Sequence, residues 1–142
     1  MGKKLSDLEL QKKQKKQAAA VKKEPKYTPK GRIYLTATFN NTLVTITDDT
    51  GHTLVWGSCG KSGYSGTRKA TPFAATNTIE TAIKKAKAEN GLTEVGVFIK
   101  GAGPGRDALL RVLRGSDLEV SKLVDMTPIP HDGIRPKKRR RV

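Results

Sequence analysis

Residues 32–56 read RIYLTATFNNTLVTITDDTGHTLVW, and the spacing of their apolar side chains decides the fold. Ile33, Leu35, Ala37 and Phe39 alternate with Tyr34, Thr36 and Thr38, the period of two that sends one set of a strand's side chains inward. Asn40-Asn41 supplies a turn, where asparagine tolerates unusual backbone angles. A second strand follows over residues 42–47 with Val44 and Ile46 inward. Asp48-Asp49-Thr50-Gly51 carries turn chemistry before a third strand through Leu54, Val55 and Trp56. Three strands with such short links predict an antiparallel meander.

Outward from this meander the pattern changes period. Residues 57–71 form a loop rich in Gly and Ser, and Pro72 opens a helix at the first-turn position proline tolerates, with Thr71 as its cap. Ala75, Ile79, Ala82, Ile83 and Ala86 make one apolar stripe, and Asn90-Gly91 ends the helix. Residues 94–100 place Val95, Val97 and Ile99 one way and Phe98 the other, which reads as an interior strand covered on both faces. A second helix carries Leu109, Leu110, Val112 and Leu113, with Arg111 and Arg114 on its other side, and residues 118–126 are a last strand. Strand, helix, strand, helix, strand favours right-handed parallel crossovers, so the fold class is α/β: a mixed sheet with two helices.

Charge divides the 142 residues into three. Lys and Arg number 28 against 13 Asp and Glu, a formal charge of +15. Residues 1–30 hold ten Lys and three acids, net +7; residues 135–142 hold six cations and no acid, net +6; subtraction leaves +2 for the rest. The expected organisation is a basic, disordered arm over residues 1–30, one domain over 31–126 and an extended basic tail over 127–142. Cationic tails attract a polyanion, because each phosphate neutralised releases condensed counterions. Nucleic acid leads. A membrane surface does not suit the few scattered apolar residues of the first arm (Leu5, Leu8, Leu10, Val21), so no membrane partner is expected. No run approaches the ~20 apolar residues of a bilayer span, and the lysine-rich start lacks the apolar region of a secretory signal, which points to the cytosol.

Two glycine-rich segments carry the chemistry. Gly101-Ala102-Gly103-Pro104-Gly105 lies between a strand and a helix, as nucleotide loops do, but Arg106 stands where the dinucleotide pattern needs glycine and the Gly-Lys-Ser/Thr of triphosphate loops is absent. The remaining readings are a plain tight turn or an anion site, in which Gly103 and Gly105 permit close approach and Arg106 adds a charged fork. Residues 57–71 carry Lys61, Arg68 and Lys69, one aromatic, Tyr64, and no acid. A sugar-phosphate chain can lie against such small polar residues while Tyr64 stacks on an unpaired base; a flexible linker is the other reading. Cys59 reads as a packing residue, and His52, His131 and one Cys give no metal-ligand spacing. No nucleophile, base and stabiliser converge: Asp48 and Asp49 lie in a turn, Glu80 and Glu89 stand beside lysines, and Asp107 sits at a helix start. No enzyme activity, metal or cofactor is expected.

Several long motifs, in order, resemble small ribosomal subunit protein eleven in its bacterial form: Phe39-Asn40-Asn41-Thr42, residues 68–75 (RKATPFAA), 100–106 (KGAGPGR) and 125–139 (DMTPIPHDGIRPKKR). The similarity runs from about Arg32 to Val142. It implies a ribonuclease-H-like fold without nuclease activity, placed on the platform of the small subunit. There the family binds small-subunit rRNA, lies along the messenger-RNA exit path near the E site, supports assembly, and neighbours small-subunit proteins seven, eighteen and, where present, twenty-one. Carried onto this chain, the resemblance makes Asn40, Asn41, Lys61, Arg68, Lys69, Thr71 and Arg106 rRNA contacts. It has the tail with His131, Arg135, Lys137, Lys138, Arg139, Arg140 and Arg141 thread among RNA helices. No homo-oligomer is expected. The family's turn commonly reads His-Asn-Gly and is prone to isoaspartate formation; here it is His131-Asp132-Gly133, and Asp-Gly can follow the same chemistry. A free DNA-binding protein would share the tails and a nuclease the fold; sedimentation with small subunits separates the first, and metal-dependent RNA cleavage would reveal the second.

Overall fold

The alternation in residues 32–47 is realised as two paired antiparallel strands joined by a tight turn. A computed structural model describes residues 27–138, in which β1 (Lys30–Ala37), β2 (Thr42–Asp48) and β3 (Thr53–Ser58) form the antiparallel meander. The chain continues through a short 3₁₀ helix (Gly66–Ala70), α1 (Pro72–Asn90), β4 (Glu94–Lys100), α2 (Gly105–Arg114) and β5 (Glu119–Asp125). The strand order is β3-β2-β1-β4-β5, with β1, β4 and β5 parallel, the mixed sheet that a ribonuclease-H-like arrangement requires. The basic arm of residues 1–26 and the cations Arg139, Arg140 and Arg141 lie outside the described residues. Tyr27 to Lys30 already belong to the fold: Thr28 N–H donates to the Asn90 carbonyl at 2.9 Å, and the Pro29 carbonyl accepts from Thr93 and Glu94 at 2.9 Å.

Two parallel crossovers stepping the same way along a sheet put both helices on the same face. Ile33, Leu35, Val44, Ile46, Val97 and Ile99 from the strands, Ala75, Ile79, Ala82, Ile83 and Ala86 from α1, and Ala108, Leu109, Val112 and Leu113 from α2 make a single core with Cys59 in it. The α1 stripe is therefore as expected. So are its ends, with the Thr71 hydroxyl accepting from Ala74 N–H at 3.3 Å and Gly91 closing the helix in the left-handed conformation.

Four expectations need correction. Phe39 does not continue the inward set: β1 stops at Ala37, because Thr38 Oγ1 accepts from the N–H groups of Asn40 and Asn41 and turns the chain, leaving Phe39 on the surface. Leu110 is outside the α2 core stripe and is partly exposed. Residues 57–71 are not all loop, since Gly57 and Ser58 complete β3 and residues 66–70 are helical. Strand β4 is covered by helices on one face only; on the other, Phe98 is met by the Tyr34 ring and the Lys122 stem rather than by an element.

Candidate nucleic-acid interface

Direction in the sheet gathers the loops. Because β1, β3, β4 and β5 run the same way, the segments leaving their carboxyl ends (residues 38–41, 59–71, 101–104 and 126 onward) emerge at one end of the sheet. Both helices begin there, so their positive dipole ends share that rim. In open α/β sheets this carboxyl end is the usual ligand side. The opposite end holds Asp48, Asp49, Glu89, Glu94, Asp117 and Glu119, and cations of the same end pair with four of them: Arg32 with Asp49, Lys85 with Glu89, Lys30 with Glu94 and Lys87 with Asp117.

The rim residues take different parts. Arg68 and Lys69 form the last turn of the 3₁₀ helix, Arg68 exposed and Lys69 half-buried, neither with an ion pair among the described residues. Asn40 is exposed at the tip of the β1–β2 turn, whereas the side-chain carbonyl of Asn41 accepts from Thr42 N–H at 2.9 Å and starts β2. His131, Arg135, Lys137 and Lys138 are exposed along the tail, and Asp132 sits at φ 58°, in the left-handed region. Lys61 leans toward the sheet, its ammonium 3.8 Å from the centre of the Trp56 ring. Tyr64 packs against the core, meets Phe73 edge to face at 6.4 Å and accepts from Asn77 at 2.9 Å, so its ring is largely engaged internally. The Thr71 hydroxyl caps α1 and donates to the Arg68 carbonyl at 2.7 Å.

The 101–106 segment is a structural joint. A Cβ on Gly103 would overlap the Thr38 carbonyl oxygen, and one on Gly105 would lie 2.5 Å from Thr42 Oγ1. The close approach these glycines permit is to the chain's own β1–β2 hairpin, and Gly103 N–H is spent on the Ala37 carbonyl at 3.0 Å. Arg106 is likewise engaged: it donates to the Gly101 carbonyl at 2.8 Å and pairs with Asp125 at 2.7 Å, clamping the end of β4 to the end of β5. Hydrogen bonds from Arg106 and then from Thr127 hold the Asp125 carboxyl well below the usual carboxylate range. Removing the Arg106 side chain therefore also breaks an internal tie, and its loss is not a clean test of RNA contact.

Among the described residues no three His, Cys, Asp or Glu side chains gather as metal ligands do, and no helix is long and apolar enough to cross a membrane. What sequence reading missed is the outward side of the strands, where Tyr34, Trp56 and Phe98 all fall; their parity was readable, but their alignment across strands follows from register.

These features define a class: a two-layer α/β protein whose exposed chemistry is cations, amides and aromatic rings, suited to a polyanion. A family model of ribosomal protein S11 matches residues 31–141, and the chain belongs to that family. Membership makes it a structural, non-enzymatic component of the small ribosomal subunit that binds rRNA, with ribosomal proteins as partners and the cytoplasmic ribosome as its location.

Proposed function

We propose that the chain docks on the platform of the small subunit through the carboxyl-end rim of its sheet, near the messenger-RNA exit path and the E site, and supports subunit assembly. Small-subunit proteins seven, eighteen and, where present, twenty-one are its neighbours in this reading. The observation that carries it is the convergence of Arg68, Lys69 and the start of the basic tail at the one end of the sheet where both helices begin. Cations gathered at the rim draw it toward phosphate. Arg68 and Lys69 are the primary contacts, because neither has an ion pair among the described residues and Arg68 is exposed. Asn40 adds an amide, and the tail neutralises the RNA helices packed around it, its ordering cost offset by many charge contacts. The Thr71, Gly103, Gly105 and Arg106 group shapes the rim that presents these contacts.

The test is incorporation. An Arg68→Ala, Lys69→Ala double variant should melt like the parent and enter small subunits poorly in competition with it; equal incorporation would remove this loop from the interface. Hydroxyl-radical cleavage directed from residue 40 should fall on platform rRNA, and cuts confined elsewhere in the subunit would refute the placement.

A further inference from the structure

Among the described residues nothing covers the face of the sheet turned away from the helices, and its middle row crosses all five strands. Trp56 lies opposite Thr45, Thr45 opposite Tyr34, Tyr34 beside Phe98 and Phe98 beside Val124. At about 4.8 Å per strand this row is roughly 19 Å long. The Tyr34 and Phe98 rings stack with centroids 5.0 Å apart and planes 15° from parallel, and Trp56 is 54% exposed. Arg32, Gly96 and Lys122 make the row on one side; Leu43, Thr36 and Lys100 make the row on the other.

Cations lie on the rings. The Lys61 ammonium is 3.8 Å from the Trp56 centroid and the Lys122 ammonium 5.2 Å from that of Phe98. Gly96 makes room for the latter, since a Cβ there would stand 3.0 Å from Lys122 Cε. Of the acids near this face, Glu94 pairs with Lys30 at 2.8 Å and Asp49 with Arg32 at 3.6 Å, while Glu119, beside Glu94 at the amino end, makes no ion pair among the described residues. Lys61, Lys100 and Lys122 have no carboxylate partner among the described residues.

A protein partner with an apolar face would have to bury three ammonium groups without counter-charge, which costs far more than the rings return. A nucleic-acid strand satisfies both halves of the surface: bases stack on aromatic rings and each lysine moves to a phosphate. Base pairs in a duplex are stacked on one another and offer no free face to a flat sheet, so the strand must be unpaired. We propose that this sheet face is a second RNA site, stacking unpaired rRNA nucleotides on Trp56 and the Tyr34–Phe98 pair with Lys61, Lys100 and Lys122 on their phosphates. It rests on the rRNA-binding reading and extends it from backbone contact at the rim to base contact on the sheet.

Trp56 is the one tryptophan of the chain, so its fluorescence reports this face alone. Titrating the full-length protein with a mixed-sequence single-stranded RNA should quench it, and the same sequence as a duplex should not, although both bind the basic tails. Trp56→Leu should weaken single-strand binding about 5- to 150-fold, the range that loss of one base stack produces. In small subunits containing the protein, ultraviolet cross-linking should leave nucleotide adducts on peptides with Trp56, Tyr34 or Phe98. Adducts confined to the 59–71 loop and the tail, with Trp56 unquenched, would overturn the sheet site and leave the rim reading standing. Lysine cross-links from Lys100 and Lys122 to a neighbouring protein, with no nucleotide on the face, would overturn it in favour of a protein interface. No RNA adduct on any peptide would bring down both readings.

Discussion

Gly103 faces the Thr38 carbonyl so closely that a methyl group cannot be added without moving backbone, and Arg106 spans from the Gly101 carbonyl to Asp125. Glycines and an arginine in this order resemble an anion loop, yet the partners they meet are the chain's own. Gly103→Ala should therefore lower stability by about 1–3 kcal/mol, the range for overpacking, readable as a lower urea midpoint with unchanged slope. The Asp125 carboxyl titrates in the native protein below its ordinary value near 3.8. Its clamp therefore contributes fully above that value and is lost as acidification proceeds below it. Between pH 6 and pH 2 the parent should lose more stability than Asp125→Asn, about one titrating group's difference. Identical pH profiles for the two would show that the pair is inert. Residue identity was legible here, but the role was not, because the partner of Arg106 lies 19 residues away across a crossover.

Element by element, the sequence was most informative where a single periodicity ran unbroken. The α1 stripe and both its caps are local features, written within one helix and its flanking residues, and all are observed. Thr71→Ala removes the hydroxyl that accepts from Ala74 N–H and should cost about 1 kcal/mol. Thr71→Ser should restore most of it, and equal melting of all three would exclude a capping role. Strand β1 ends two residues before the alternation does, since the Thr38 hydroxyl accepts from the turn N–H groups and bends the chain before Phe39. The exposure of β4's second face was likewise not local information. It depends on both crossovers passing over the same side, which leaves Gly96 and Phe98 with neighbours from β1 and β5 alone.

For the whole molecule the governing quantity is where charge ends up. Removing residues 135–142 deletes six cations. At about 0.7 to 0.9 per phosphate neutralised, the slope of log K against log salt for rRNA fragments should flatten by as much as ~4 to 5. An unchanged slope would mean that the tail touches no phosphate. The basic tails, the near-neutral domain, the strand and helix order and the family motifs were all determined by the sequence alone, because composition and short periodicities are properties of neighbours along the chain. Only the tertiary structure decided which loops share a rim, that Gly103, Gly105 and Arg106 serve the chain's own joint, and that Trp56, Tyr34 and Phe98 form one row. The physical reason is that these arrangements follow from strand direction, register and crossover side, which bring together residues as far apart in the chain as Ala37 and Gly103 and leave no mark on any local stretch.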